Sequence, residues 1–184
     1  MALAETPICN FGEKAKNFSL TSTENKKISL NDTCGENGTL IMFICNHCPY
    51  VKAIIKDIVQ DVKFLESLGI KSTAIMSNDV KNYPEDSFKN MISFAKLHDF
   101  SFPYLIDETQ KVAKEYGAVC TPDFFGYNKN LELQYRGRIR ELKELKPVRK
   151  GDSELKSAMK LVSESGKGPA SQIPSMGCNI KWFK

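Results

Sequence analysis

Residues 39–50 read TLIMFICNHCPY, an apolar run that ends in two cysteines and a proline. The run from Thr39 to Ile44 is almost continuously apolar, which is typical of a strand buried on both faces of a parallel sheet. From Val51 onward, apolar residues recur at helical spacing until Gly69 supplies a stop. This periodicity predicts a helix from about Cys48 to Leu68.

Cys45 and Cys48 lie where the predicted strand gives way to the predicted helix. The unpaired amides at a helix N-terminus carry partial positive charge, which favours a thiolate over a thiol. A Cys-x-x-Cys pair at such a junction indicates a redox-active dithiol.

The neighbouring sequence predicts an α/β domain. Ile70 to Met76 reads as a second strand, parallel to the first, so the loops at the carboxyl ends of the strands are the expected site. Upstream, Phe18 and Leu20, then Ile28 and Leu30, alternate with polar residues. This alternation predicts an N-terminal β-hairpin at the edge of the sheet.

The rest of the chain alternates further helices and strands. After a polar loop, we expect Asp86-Ser87 to cap a helix. The other expected elements are a short helix from Thr109 to Tyr116, a strand from Asp123 to Tyr127, its hairpin partner from Leu131 to Ile139, and a helix from Ser153 to Ser163. Residues 1–165 are thus expected to form one domain. Residues 166–184 are expected to form a Gly- and Pro-rich tail whose apolar end packs back on it.

Charge and composition exclude several functions. The chain has 184 residues, with 26 basic and 22 acidic side chains that are interleaved, so no cationic face for nucleic acid is expected. No signal-like leader opens the chain and no apolar run approaches about 20 residues, which predicts no membrane span and a cytoplasmic location. Six scattered cysteines fit a reducing compartment. We expect no cofactor, and the sequence gives no indication of oligomeric state.

The order of these elements around the Cys-x-x-Cys pair resembles the thioredoxin fold over residues 12–165. Gly12, Phe18 and Leu20 resemble the entry segment of the redoxin branch, which includes alkyl hydroperoxide reductase and thiol-specific antioxidant proteins. A narrower resemblance is to a subgroup of small bacterial thioredoxin-like proteins. It rests on the motifs NHCPYV (46–51), SND (77–79), YPEDS (83–87), RGR (136–138) and GCNIKW (177–182). The resemblance implies a central mixed sheet flanked by helices, and thiol redox chemistry without a named substrate.

The chain also departs from its larger relatives. Thioredoxin has a Trp before the first cysteine and a buried Asp upstream, where this chain has Ile44 and Thr39. Peroxiredoxins have a Pro and a Thr before the peroxidatic cysteine. If Cys48 corresponds to that cysteine, the matching positions here are Ile41 and Cys45.

The leading hypothesis is a thiol-disulfide oxidoreductase with the motif Cys45-Asn-His-Cys48-Pro49. In it, the Cys45 thiolate attacks a disulfide and Cys48 resolves the mixed disulfide. A protonated His47 would stabilise the Cys45 thiolate and make the couple more oxidising. The expected partners are protein or small-molecule disulfides, or peroxides, together with a thiol reductant system.

Three further positions are candidates. Thr121-Pro122 resembles the cis-proline that faces the dithiol in thioredoxin folds, where the preceding backbone pairs with an incoming extended chain. That would place Cys120 close to the pair, either as a redox partner or as a small hydrophobe. Cys178, in the tail and without an expected helix or strand, is either a mobile resolving cysteine or a packed anchor. Arg138 either adds positive potential near the dithiol or is a solvated strand residue.

Two rival functions remain open. One is a peroxidase in which Cys48 is peroxidatic and Cys45, Cys120 or Cys178 resolves it. The other is a non-catalytic binding module whose disulfide stiffens the fold. A structural zinc site takes four ligands, and the sequence has no second closely spaced pair, so we expect no metal.

Overall fold

The computed structural model describes residues 2–184. Its centre is a seven-stranded mixed sheet. The strands of this sheet are β2 (Ser19–Ser22), β3 (Lys27–Ser29), β4 (Gly38–Phe43), β5 (Ile70–Met76), β6 (Tyr104–Ile106), β8 (Asp123–Tyr127) and β9 (Leu133–Tyr135). They lie side by side in the order β3-β2-β6-β5-β4-β8-β9. A three-stranded sheet contains β1 (Leu3–Glu5), β12 (Met176–Asn179) and β7 (Cys120–Thr121), and a small hairpin pairs β10 (Leu142–Lys143) with β11 (Lys146–Pro147).

Strand β4 is buried on both faces, as its apolar run predicted. Leu40 and Met42 belong to one apolar cluster, whereas Ile41 and Phe43 belong to a second cluster on the opposite face. This division follows from the alternation of side chains along a strand. β4 pairs in parallel with β5, which pairs in parallel with β6, while β8 is antiparallel to β4. The expected central mixed sheet is confirmed.

In the described part of the chain, residues 2–184, four α-helices cover the sheet: α1 (Pro49–Ser67), α2 (Phe88–Leu97), α3 (Lys111–Tyr116) and α4 (Glu154–Ser165). Helix α1 connects β4 to β5, and its apolar face, which includes Ile54, Ile58 and Leu65, packs in the first cluster. The proline at its first position fits there because the first amide of a helix has no intrahelical acceptor. Among residues 2–184, no helix is both long and apolar enough to cross a membrane.

Several sequence expectations differ from the structure at their boundaries. The expected N-terminal hairpin is present as β2 and β3 at the sheet edge. The partner strand expected from Leu131 to Ile139 is shorter, because Leu131 adopts a left-handed conformation with φ 56° and β9 begins only at Leu133. The short helix begins at Lys111, after Gln110 in a left-handed conformation. The single-domain division at residue 165 stays a prediction.

The tail has more structure than its Gly- and Pro-rich composition indicated. Strand β12 runs antiparallel between β1 and β7, so that Cys178 lies opposite both Leu3 and Thr121. Such pairing between distant segments gives no local periodicity in the sequence. The expectation that the Cys178 region lacks a strand is therefore wrong.

Candidate active site

The site lies at the carboxyl end of β4, where the chain turns into α1. Cys48 is the N-cap residue of α1, with φ −64° and ψ 121°, and Cys45 lies three residues earlier. Both cysteines are buried, 1% exposed for Cys45 and 0% for Cys48. The Thr121–Pro122 peptide bond is cis, and Thr121 touches both sulfurs. Its hydroxyl lies 3.4 Å from Cys45 Sγ, and its carbonyl lies 3.1 Å from Cys48 Sγ, whose thiol hydrogen it can accept.

Cys48 is the more acidic of the two thiols. A hydrogen bond from the Cys45 thiol is the largest factor that lowers the pKa of Cys48, which falls to about 5 despite burial. Thr121 and the backbone amides of Val51 and Cys178 contribute in the same direction. The amide of Val51 belongs to the first turn of α1, where unpaired N–H groups favour negative charge.

Cys45 is affected in the opposite direction. Its hydrogen bond with Cys48, its burial and the negative charge of Asp86 all raise the pKa of the Cys45 thiol. Cys48 is therefore the thiol of the pair that ionises more readily, and Cys45 is the one that retains its proton more strongly. This order differs from the sequence hypothesis of a Cys45 thiolate, because the hydrogen bond from Cys45 and the amides of Val51 and Cys178 stabilise negative charge on Cys48.

Asp86 organises the segment between the two cysteines. Its Oδ1 accepts hydrogen bonds from the backbone amides of Asn46 at 2.8 Å and His47 at 3.2 Å. Its Oδ2 accepts from His47 Nδ1 at 2.6 Å and from Asn78 Nδ2 at 2.8 Å. Burial opposes the ionisation of Asp86, but hydrogen bonds from His47 and Asn78 outweigh it and lower its pKa. Of the expected cap Asp86-Ser87, Ser87 is the N-cap residue of α2 but makes no side-chain cap bond, and the further assignment of a capping role to Asp86 is wrong.

The His47 imidazole is hydrogen-bonded to the Asp86 carboxylate. Their hydrogen bond raises the pKa of His47, and the imidazole stacks on the Tyr83 ring with centroids 5.7 Å apart. His47 Nδ1 also lies 3.9 Å from Cys45 Sγ. Because Nδ1 donates to Asp86, the negative carboxylate lies beside the imidazole and offsets the positive charge of a protonated His47. The charge of Asp86 raises the pKa of Cys45, which opposes the expected stabilisation of a Cys45 thiolate by His47.

The remaining cysteines of the site differ in their surroundings. Cys120 precedes Thr121, is 0% exposed, and its Sγ lies 3.4 Å from the Pro122 carbonyl. Burial raises the pKa of Cys120 far above its ordinary value. Cys178 is 2% exposed in β12, so it is packed rather than mobile. Strand β12 also holds the pairing position beside Thr121 that the sequence assigned to an incoming chain.

Arg138 is ion-paired beside the site. Its Nε donates to Glu154 Oε1 at 2.9 Å, and its Nη2 lies 3.9 Å from Glu141 Oε2. With Tyr50 and Pro122 it lines a cavity of about 140 Å³. The carboxylates of Glu141 and Glu154 offset the positive charge of Arg138 and so weaken its electrostatic effect on the dithiol. The Arg138 side chain is half-buried rather than fully solvated.

One group within residues 2–184 has the proximity of a metal site: ligand atoms of Cys45, His47 and Asp86 all lie within 4.8 Å of one another. The His47 nitrogen and the Asp86 oxygen are 2.6 Å apart. Two ligands of a tetrahedral zinc ion lie about 3.3 Å apart, given bonds of about 2 Å. The observed spacing suits a shared proton. The absence of a resident metal stays a prediction.

Comparison of the sequence with known protein families identifies the family of this chain. The sequence model of the AhpC/TSA family matches residues 11–142, more than half of the chain. The chain belongs to the AhpC/TSA family. The resemblance to the redoxin branch is thus confirmed, whereas the narrower subgroup that the motifs indicated stays a prediction.

This AhpC/TSA-family chain has relatives of known name and structure. It is 29% identical over 126 residues to thiol-disulfide oxidoreductase ResA of Bacillus thuringiensis subsp. konkukian, covering 65% of this chain and 64% of ResA. The chain thus spans just under two thirds of the length of the curated relatives it matches. An uncharacterised conserved protein of Geobacillus kaustophilus superimposes with a TM-score of 0.94 at 38% identity, over 100% of this chain and 97% of the other.

The thioredoxin fold is also shown. The thioredoxin domain of a thiol-disulfide oxidoreductase from Bacteroides vulgatus superimposes with a TM-score of 0.58 at 12% identity, over 68% of this chain and 86% of that domain. This similarity covers the fold alone. It agrees with the element order that the sequence predicted.

Sequence reasoning missed the polar residues that hold the motif of this AhpC/TSA-family site. Asn46 Nδ2 donates to the Glu85 carbonyl at 3.1 Å, and the buried Tyr104 hydroxyl donates to Asn46 Oδ1 at 2.9 Å. Asp86 was assigned a capping role. A signal was available, because Asn78 and Asp86 follow β5, whose carboxyl end lies beside that of β4.

Proposed function

We propose that this protein is a thiol-disulfide oxidoreductase in which Cys45 and Cys48 cycle between dithiol and disulfide. The observation that carries the proposal is the placement of two buried thiols at the N-terminus of α1, where Thr121 contacts both sulfurs. The hydrogen bond from Cys45, together with Thr121 and the amides of Val51 and Cys178, lowers the pKa of Cys48 to about 5, which favours its thiolate form at neutral pH. The thiolate is the reactive species in exchange.

The chemistry balances as a two-electron exchange. The Cys48 thiolate attacks one sulfur of a substrate disulfide, a mixed disulfide forms, and the second substrate sulfur leaves as a thiolate. Cys45 then attacks Cys48 Sγ, the Cys45–Cys48 bond forms, and the first substrate sulfur leaves. The substrate gains two electrons, and the proton of Cys45 goes to a leaving thiolate. A thiol reductant restores the dithiol by the reverse exchange.

Access to the sulfurs requires local movement. Cys45 and Cys48 are 1% and 0% exposed, so a substrate reaches either only after covering residues shift. The sequence hypothesis has Cys45 attack first, whereas the charge distribution favours Cys48. Alkylation of the reduced protein at pH 6, with mass identification of the first labelled cysteine, distinguishes the two orders.

Substrates and location are part of the proposal. Similarity to ResA supports protein or small-molecule disulfides as substrates and a thiol system as electron donor. We propose a cytoplasmic location and no membrane or nucleic-acid partner, as the sequence suggested, supported by the six scattered cysteines.

Reduction of insulin disulfides by dithiothreitol, with the protein as catalyst, tests the function. We expect wild-type protein to accelerate the reduction, Cys48→Ser to lower the rate to the uncatalysed level, and Cys45→Ser to lower the rate below that of wild type. Cys34→Ser is the matched control, since Cys34 lies outside the site and its Sγ contacts the Leu30 carbonyl at 3.2 Å. If wild-type protein does not accelerate the reduction above the uncatalysed rate, the binding-module alternative is favoured.

Peroxide reduction is a second candidate, favoured by the low pKa of Cys48. Here the Cys48 thiolate attacks a peroxide oxygen, giving a sulfenic acid and releasing an alcohol or water. A thiol then displaces water to form a disulfide. Stopped-flow oxidation of a variant that retains only Cys48 tests this idea, and a rate no faster than that of an ordinary free thiol rejects it.

A further inference from the structure

Strand β12 places Cys178 beside the dithiol. In its antiparallel pairing with β7, Cys178 lies opposite Thr121 and Asn179 opposite Cys120. Directly opposite residues share a face of the sheet, and successive residues along a strand alternate between faces. The Thr121 hydroxyl lies 3.4 Å from Cys45 Sγ, so its face is the one turned to the dithiol. Cys178 shares that face, and Cys120 lies on the other.

Cys178 also contacts Cys48 directly. Its backbone amide donates to Cys48 Sγ, and its thiol hydrogen-bonds to the same sulfur. Cys178 is 2% exposed and belongs to the same apolar cluster as Cys45 and Cys48. Cys48 therefore has one thiol neighbour within its own motif and another on β12.

Gly177 makes this approach possible. A Cβ at this position would lie 2.1 Å from the Thr121 carbonyl oxygen and 3.1 Å from Pro122 Cδ. Only a residue without a side chain fits between β12 and this backbone. Ser175 fixes the start of the strand, because its hydroxyl donates to the Pro122 carbonyl at 2.8 Å. The position of Cys178 is thus set by contacts on the Thr121–Pro122 segment itself.

We propose that Cys178 is a third redox thiol of this site and forms a disulfide with Cys48. The proposal rests on the proposed function, because the Cys45–Cys48 disulfide is its starting point. The Cys178 sulfur attacks Cys48 Sγ, the Cys48–Cys178 bond forms, the Cys45–Cys48 bond breaks, and Cys45 leaves as a thiolate. The proton that Cys178 loses is taken up by Cys45. No electrons leave the protein, so the step needs no further oxidant.

This step depends on the oxidation state of the dithiol, because the charge of Cys48 affects the ionisation of Cys178. In the reduced protein, burial and contact with Cys48 raise the pKa of Cys178 to about 12, while Lys181 acts in the opposite direction. Once Cys48 is in a disulfide it carries no negative charge, and Cys178 ionises more readily. The rearrangement therefore follows oxidation of the dithiol and returns Cys45 as a thiol.

Disulfide mapping of the full-length protein tests the proposal. Wild-type protein is oxidised with glutathione disulfide, quenched in acid, alkylated, digested and analysed by mass spectrometry. We expect peptides that join Cys48 to Cys178, with Cys45 alkylated in the same molecules. Cys120→Ser is the matched control and should give the same linkage, whereas Cys178→Ser should give only Cys45–Cys48. Cys45→Ala should form Cys48–Cys178 directly.

The outcomes separate this inference from the proposed function. If wild-type protein reduces insulin and forms Cys45–Cys48, but Cys178 is fully alkylated in wild type and in Cys45→Ala, the third-thiol role is overturned and the proposed function stands. If Cys48–Cys178 forms in Cys45→Ala but wild type does not reduce insulin, the third thiol is supported and the proposed function fails. The wild-type experiment needs no substitution, so a misfolded variant cannot obscure it.

Discussion

His47 Nδ1 donates a hydrogen bond to Asp86 Oδ2 at 2.6 Å, which joins the loop after β4 to the loop after β5. We expect Asp86→Asn to lower the pKa of His47 toward 6.5, because the hydrogen bond to this carboxylate is the largest factor that raises it. Titration of the imidazole signals by NMR measures this change. His98 is an internal control, since burial lowers its pKa and Asp86 is not among the groups that affect it. An unchanged His47 pKa would contradict the assigned pair.

The same pair predicts a pH window for stability. His47 has a folded pKa above its unfolded value of 6.5, so its contribution is fully present below pH 6.5 and is lost as pH rises through the folded pKa. Asp86 has a folded pKa below 3.8, so its contribution is present above pH 3.8 and is lost as pH falls through the folded pKa. Urea unfolding of wild type and His47→Asn should therefore differ most between pH 4 and pH 6.5. A difference that grows above pH 8 would be inconsistent with this assignment.

The acidity of Cys48 should depend on its neighbour. The hydrogen bond from Cys45 is the largest cause of the low pKa of Cys48, so Cys45→Ala should raise that pKa by about one unit or more. Cys45→Ser retains a hydroxyl donor and should raise it less. The pH dependence of the ultraviolet thiolate absorbance measures both shifts. A pKa of Cys48 that is the same in both variants as in wild type would mean that Thr121, α1 and β12 set its acidity without Cys45.

Apolar runs and helical periodicity in the sequence predicted the elements whose formation depends on nearby residues. Strand β4 and helix α1 follow from an apolar run and from helical periodicity, and the observed bounds of α1 differ from the prediction by one residue at each end. The pairing of His47 with Asp86 could not be read in this way, because these residues are 39 positions apart and meet only through the sheet. Likewise, β12 exists through tertiary pairing with β1 and β7 in a segment whose composition indicates a loop.

Gly177→Ala should displace β12 from the dithiol. Because its Cβ would lie 2.1 Å from the Thr121 carbonyl oxygen, we expect a loss of about 1–3 kcal/mol in the free energy of unfolding, typical of overpacking. Alkylation of Cys178 in the native protein should accelerate at the same time. Gly151→Ala is the control, since its Cβ meets nothing within 4 Å and its cost comes from a φ of +95°. If both variants leave Cys178 equally protected, Gly177 does not set the position of β12.

Asp61 on α1 is a buried carboxyl group whose ionisation destabilises the fold. It accepts a hydrogen bond from Ser153, whose hydroxyl also accepts from the Lys156 amide at 2.9 Å as the N-cap of α4. Burial raises the pKa of Asp61 from 3.8 to about 6, against the effect of the Ser153 hydrogen bond. Folding thus favours the protonated acid, and this contribution is present below pH 3.8 and is lost as pH rises through about 6.

Asp61→Asn removes the ionisation but keeps an oxygen that can accept from Ser153. We expect wild type and variant to have similar free energies of unfolding near pH 4. At pH 8 the variant should be more stable, by at most about 3 kcal/mol, which corresponds to a pKa difference of about two units. Urea denaturation at the two pH values measures the difference. An advantage that is the same at both pH values would show that packing, and not the buried charge, distinguishes the two proteins.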